Sequence, residues 1–359
     1  MPRIARALLL AASLSGPAAA HAREPGPDRS AAGATDSTVA DSARVTAGDG
    51  TATTARWRLR ERSSIEGEPG HPLVEPSGVL SDAFGRVWVS DASLHTLRRW
   101  QADGAPLDET GALGSEPAQF RRPGALARVG ALGVAVLDVE NRRVSTYDHY
   151  LRLLQGTVDL AAPELEERIG RVRPVALAAD RGGALYVADA ERDRVLVFDY
   201  TGAFQRELGG FGARSGGFSG LTGVAVGARG TLVTAERPAP RRGNARARSS
   251  PPDTAAGRGR VQWLDAGGRV IGATWTPPWA AGAAEISLSV AVDAAGRVAV
   301  AAERSGELCV LSPQGECLAR LAGLSAPRAL AFADDGTLLV AESGAGRVRR
   351  WSLEPDGAE

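Results

Sequence analysis

The chain has no lysine; all of its 42 basic residues are arginine. Without an ε-amine there is no Schiff-base chemistry and no lysine nucleophile or base. Histidine is limited to His21, His71, His95 and His149, asparagine to Asn141 and Asn244, and cysteine to Cys309 and Cys317. So sparse a set of nitrogen and sulfur donors contains no structural zinc pattern, which needs four ligands. No Gly-x-Ser-x-Gly elbow occurs, and the few histidines offer no evident base for a nucleophilic hydrolase. Net charge is also missing: 42 basic residues balance 42 acidic ones, so no global field points to nucleic acid or a membrane surface.

What is present begins with a targeting pattern. Arg3 and Arg6 precede a short apolar run from Ala7 to Leu14, and Ala18, Ala20 and Ala22 supply small-x-small cleavage patterns. The run is too short to cross a bilayer comfortably, and no Cys stands nearby for a lipid anchor. Residues 1–22 are therefore expected to be a signal peptide, and the protein periplasmic or secreted, with no integral span after processing. Residues 23–53 contain no aromatic residue and are rich in Ala, Gly, Ser, Thr, Asp and Pro, which predicts a disordered linker.

From Trp57 onward the text repeats. Residues 174–180, 185–189 and 194–198 are short apolar runs, and a weaker one follows near Phe204, all separated by turn residues. That is the pattern of a four-stranded antiparallel meander. The second strand of each unit closes on an acid: Asp91, Asp138, Asp189, Glu236, Glu303 and Glu342. Four of the five spacings lie between 39 and 51 residues, and the fifth spans an insertion. A four-strand unit repeated at that period predicts radial repetition. The last repeat stops after its third strand, at Trp351, while an unassigned strand around Trp57 and Leu59 precedes the first. The expected fold class is all-β: a six-bladed β-propeller over residues 54–356, made of four-stranded antiparallel blades and closed by an N-terminal strand, which removes an exposed sheet edge. Residues 237–259 form an insertion in blade 4.

The acid column has two readings. Six carboxylates around an axis could bind a cation. Asp138 with Arg143, Asp189 with Arg194, and Glu342 with Arg347 are each five apart across a short hairpin, which instead predicts cross-strand pairs, the favoured reading. In blades 1 and 5, Thr96 and Leu308 replace the arginine. The third-strand aromatics Trp100, Tyr147, Phe198, Trp263 and Trp351 are expected to pack between blades rather than stack on sugars.

These motifs resemble the NHL repeat: the second-strand acid, a short loop, an Arg-Val or similar pair, and glycines leading through Phe120 to Pro123 and Gly124, and again through Phe218 to Gly223. The resemblance covers nearly the whole chain after the linker and implies a six-bladed propeller. Residues 89–95 also resemble the His-bearing blade motif of the peptide-amidating lyases, whose propellers hold zinc with histidines from several blades. No other blade here has an equivalent histidine. His71, His95 and Asp91 are accordingly only a weak metal-site candidate, and no cofactor is expected. Sugar-lactonase-type propellers bind an axial divalent metal partly through asparagine, which this chain scarcely has.

Loop length distinguishes the two ends of the propeller. The long loops fall at the end where each blade begins, and loop elaboration on a rigid scaffold is where binding usually resides. The insertion adds Arg237, Arg241, Arg242, Arg246, Arg248 and Arg258 against a single acid, Asp253, as candidate contacts to an anionic partner. The favoured expectation is a non-catalytic, exported binding or scaffold protein, monomeric, presenting that end to a protein or glycan. The alternative is a metal-dependent hydrolase or lyase with its site on the propeller axis. Cys309 and Cys317 flank a short hairpin turn in an exported chain and are expected to form a disulfide.

Overall fold

The structure, a computed structural model, describes residues 57–154, 158–212, 214–237, 259–272, 274–278 and 287–355. The expected signal peptide and linker lie outside the described residues, as does most of the insertion. No helix among the described residues is long and apolar enough to cross a membrane.

Six sheets follow one another along the chain, each an antiparallel meander that starts at its inner strand. Blade 1 is built from Pro76–Ser81, Val87–Asp91, Thr96–Trp100 and Pro106–Thr110. Blade 2 uses Pro123–Val129, Gly133–Asp138, Arg143–Tyr147 and the short Val158–Asp159. Blade 3 comprises Pro174–Ala179, Leu185–Asp189, Arg194–Phe198 and Phe204–Gly209. Blade 4 has Leu221–Val226, Leu232–Glu236 and Arg260–Leu264, with isolated bridges from Leu264 to Val270 and from Val261 to Trp275 in place of a regular outer strand. Blade 5 is Leu288–Val292, Val298–Ala302, Glu307–Leu311 and Cys317–Leu321. Blade 6 has Pro327–Phe332, Leu338–Glu342 and Arg347–Pro355, and its outermost strand is Trp57–Ile65, which pairs antiparallel from Trp57 opposite Pro355 to Ile65 opposite Val348. One short helix, Pro163–Ile169, sits in the loop leading into blade 3.

Local chemistry explains the tight turns. Asp82 Oδ1 accepts the N–H groups of Phe84 and Arg86, and Asp180 Oδ1 those of Gly182 and Ala184. A carboxylate that caps its own turn in this way, followed by a glycine at positive φ such as Gly85 (74°) or Gly183 (86°), reverses the chain in four residues.

The hydrophobic core is divided into six clusters, one per blade interface. Trp100, Tyr147, Phe198 and Trp351 hold one register, opposite Val87, Val134, Leu185 and Leu338, and all are buried against the preceding blade. Trp263 departs from the expected column. Leu264 holds that register in blade 4, opposite Leu232, so Trp263 points to the other face. There it packs on blade 5, where Leu311 stands at the aromatic position. The interface between blades 4 and 5 thus receives its large ring from the opposite side.

Candidate functional site

Five of the six acids are buried structural staples. Each accepts a backbone N–H from the loop leading into its own blade: Asp91 from Val74 and Glu75, Asp138 from Arg121, Asp189 from Arg173, Glu236 from Ser219, and Glu342 from Ser325. The cross-strand arginine completes the arrangement, with Arg143 Nε 2.9 Å from Asp138 and Arg194 Nε 2.9 Å from Asp189. In blade 1, where Thr96 replaces the arginine, the N–H groups of Ser93 and Leu94 donate to Asp91 instead. Burial raises the Glu236 carboxyl pKa above the ordinary glutamate value, even though Arg260, Ser219 and Gln262 all hydrogen-bond to it.

Glu303 corrects the column. The inner strands of the other five blades carry a bulge near their start, so that Pro76 faces Asp91 and Gly78 faces Ser90, for example. Blade 5 pairs without that bulge: Leu288 faces Ala302 and Ser289 faces Ala301. Ala302, opposite Glu307 as Asp91 is opposite Thr96, occupies the staple position, because the acid comes seven positions after the turn glycine here and six in blade 1. Glu303 lies one residue beyond it, half-exposed, at the place held in blade 1 by the small residue Ala92.

That place faces the propeller axis. Two cavities lie on the axis, separated by a waist of one aliphatic residue per inner strand: Val79, Leu126, Leu177, Val224, Val290 and Leu330 line both. The cavity of about 520 Å³ opens where the tight turns are, and its acids serve those turns or pair with arginine, as Asp334 of blade 6 does with Arg128 of blade 2. The other, of about 340 Å³, opens at the end where the blades begin and is lined by Arg122, Glu303, Arg328, Ser77, Thr222 and Ser289 among small and apolar groups.

Three charged residues line this smaller cavity, and a fourth, Glu75, links two of them into an alternating row. Arg122 Nη2 is 2.8 Å from Glu75 Oε1, Arg328 Nη1 is 2.6 Å from the same oxygen, and Arg328 Nε is 2.9 Å from Glu303 Oε1. They come from blades 2, 1, 6 and 5 in that order, and so involve four of the six blades. Burial alone would raise the Glu75 pKa, but the guanidiniums of Arg122 and Arg328 hold it below the usual carboxylate range. Glu303 and Glu75 in turn raise the pKa of Arg328, against the effect of burial. Ser289 Oγ is buried on the cavity wall with no hydrogen-bond partner among the described residues. Sequence reasoning missed Glu75, Arg122 and Arg328. The available signal was a charged residue beside the proline that opens each of three inner strands: Pro76, Pro123 and Pro327.

A divalent metal does not fit this donor set. No group of three or more His, Cys, Asp or Glu that could hold a metal occurs among the described residues, and the two glutamates on the rim already bind guanidiniums. The weak candidate His71, His95 and Asp91 is not assembled. The His71 ring lies 3.6 Å from Glu109, His95 Nδ1 accepts the backbone N–H of Arg122, and Asp91 is committed to backbone donors. Arg237 is exposed at the edge of blade 4, while Arg241, Arg242, Arg246, Arg248 and Arg258 lie outside the described residues. In blade 5 the sulfurs of Cys309 and Cys317 are within bonding distance, with Cα atoms 6.3 Å apart.

No protein-family model matches the chain, and no curated protein matches it. Among solved structures it is similar to a regucalcin, a calcium-binding protein of Agrobacterium tumefaciens, at 17% identity and a TM-score of 0.55 over 84% of this chain and 96% of that one. It is also similar to a gluconolactonase of Xanthomonas campestris, at 16% identity and a TM-score of 0.52 over 78% and 86% of the two chains. A third is virginiamycin B lyase of Staphylococcus aureus, at 13% identity and a TM-score of 0.51 over 84% and 90%. The shared feature is the six-bladed propeller. The expectation of a non-catalytic scaffold is corrected by this comparison. Two of these propellers are enzymes and the third is a calcium-binding protein; none of the three is a non-catalytic scaffold by its description.

Proposed function

We propose that the chain is a hydrolase or lyase whose reaction takes place in the axial cavity at the end where the blades begin. The observation that carries this reading is the position of Glu303. Glu303 stands one position further from its turn glycine than the acids of blades 1, 3, 4 and 6 do, which takes it out of the buried column and sets it over the cavity, with Oε1 held by Arg328 and Oε2 without a hydrogen-bond partner among the described residues. A carboxylate fixed at one oxygen and open at the other is equipped for general-base work.

In a hydrolysis, Glu303 Oε2 takes a proton from the attacking water as the water oxygen bonds to the acyl carbon; the acyl carbon–oxygen bond then breaks, and the departing alkoxide receives that proton. In an elimination, it takes one from the carbon next to the leaving group, and the C–H electrons form the new double bond as that group departs. The Arg122 and Arg328 guanidiniums lie where negative charge on the substrate can be met. No step is routed through a metal, because the described donors do not make a metal site. The lyase and gluconolactonase among the similar propellers support the class of reaction and do not name a substrate. The NHL-type repeat and export to the periplasm or medium remain part of this proposal on sequence grounds.

The test is a panel of lactones, esters and β-substituted acids assayed with purified protein in a buffer containing EDTA. Turnover of at least one member that survives chelation is the expected result. No turnover across the panel, with or without added divalent metal, would contradict the proposal.

A further inference from the structure

The axial cavity carries information about its ligand beyond the class of reaction. Two guanidiniums converge on a single oxygen, Glu75 Oε1, at 2.8 and 2.6 Å. Two like charges so close are mutually repulsive unless an anion holds them, so Glu75 fixes their spacing and orientation. Its other oxygen, Oε2, accepts from Ser93 Oγ, which fixes the glutamate in turn. Arg122 Nη1 and Arg328 Nη2 have no hydrogen-bond partner among the described residues, although both side chains line the cavity. Glu303 Oε2 is the open acceptor at the blade 5 end of the same row, and Ser289 Oγ is a buried hydroxyl without a partner on the adjoining wall. The wall supplied by blades 3 and 4 is different. Val175 and Gly223 are small and uncharged, and Thr222 Oγ1 is taken by the carbonyl of Leu288.

We infer that this cavity binds a small carboxylic acid bearing a hydroxyl or ammonium group next to the carboxylate and a compact apolar remainder. This deepens the catalytic reading and rests on the same cavity. The carboxylate takes the two uncommitted guanidinium nitrogens, one from each arginine, through charge-assisted hydrogen bonds. The neighbouring donor hydrogen-bonds to Glu303 Oε2. The apolar remainder lies against Val175 and the aliphatic waist below it. A cavity of about 340 Å³ limits the ligand to a small molecule. A phosphate dianion fits less well, because the open oxygen of Glu303 would repel its additional charge.

The inference is tested by titration calorimetry with 2-hydroxyisovalerate, its methyl ester, isovalerate and inorganic phosphate. The hydroxy acid should bind best, with the ester and phosphate each at least tenfold weaker and isovalerate between. Raising the salt concentration should weaken binding of the acid to the unmodified protein, a readout that needs no variant. Arg328→Gln and Arg122→Gln should each weaken it at least tenfold, whereas Arg128→Gln, at the far mouth, should leave it unchanged. Absence of binding, an affinity for the ester or phosphate equal to that for the acid, or salt-independent binding would each overturn the inference. Binding of the acid without turnover of any panel substrate would keep this inference and remove the catalytic one. Turnover indifferent to a carboxylate would do the reverse.

Discussion

In blade 5 the second strand places its acid seven positions after the turn glycine Gly296, where blade 1 places it six after Gly85. Successive residues of a strand face opposite ways, so one extra position moves a side chain from one face to the other. The extra residue leaves Ala302 where a carboxylate would staple the loop and brings Glu303 to the axis. The sequence carries the signal: six positions separate turn glycine and acid in blades 1, 3, 4 and 6, and seven separate Gly296 from Glu303, a difference that the repeat length alone does not reveal. By contrast, the pairs of Asp138 with Arg143 and Asp189 with Arg194 were legible, because a fixed spacing across a short hairpin leaves little geometric freedom. Arg194 is itself buried and also binds Glu207 and the carbonyl of Ile169. Arg194→Met should therefore destabilise the fold by about 3 kcal/mol, the low end for breaking a buried pair, since Asp189 keeps two backbone donors. Urea unfolding measures this, and a loss under about 1 kcal/mol would contradict the staple role.

Glu75 makes a prediction in pH at the same scale. Its pKa is lower folded than unfolded, so the unfolded chain binds its proton first on acidification. The stabilisation it supplies is complete above the ordinary glutamate value and is lost as pH falls through the lowered one. Glu75→Gln should reduce stability at neutral pH and flatten its decline across that acid range. Thermal melts of both proteins from neutral to acid pH compare the slopes directly, and identical slopes would contradict the bridging role.

At the scale of elements, the blade was the most legible unit. Period-two runs, Asp-Gly turns and the repeat length follow from local chemistry, and the strands fall where these signals place them. Less legible was the interface between blades 4 and 5, where Trp263 supplies from one side the ring that Leu311 does not supply from the other. Trp263→Leu should cost about 2–4 kcal/mol, more than a surface tryptophan would, with the loss read by chemical denaturation. In the same blade, Cys317 faces Leu311 beside an irregularity in the pairing, two residues along from Cys309. The eight-residue separation closes a small loop, so the proposed disulfide should contribute about 2.5 kcal/mol in the chain-entropy account. Mass spectrometry of alkylated, unreduced protein should find both thiols blocked against alkylation. Two alkylated cysteines would remove the bond from the account.

Over the whole molecule, the outer strand of blade 6 comes from the start of the described chain, and Arg62 ties it to Glu354 at 2.7 Å. Removing residues through Arg62 should lower the melting temperature of the propeller and promote aggregation through the newly exposed edge of Arg347–Pro355. A truncated chain that melts like the longer one would show that this strand does not close the fold. The architecture was readable because repetition averages over six copies of one weak signal. The axial site was not readable, because Glu75, Arg122, Glu303 and Arg328 come from four blades and meet only when the ring closes. That they meet over a cavity is the basis for placing catalysis there. The most direct measurement is kcat/KM for the best panel substrate with Glu303→Gln beside the unmodified protein, both shown to melt alike. The account predicts a fall of about 10²- to 10⁴-fold, the range for loss of a general base. A variant within a factor of about three of the unmodified protein, a difference of well under 1.4 kcal/mol in the barrier, would contradict it.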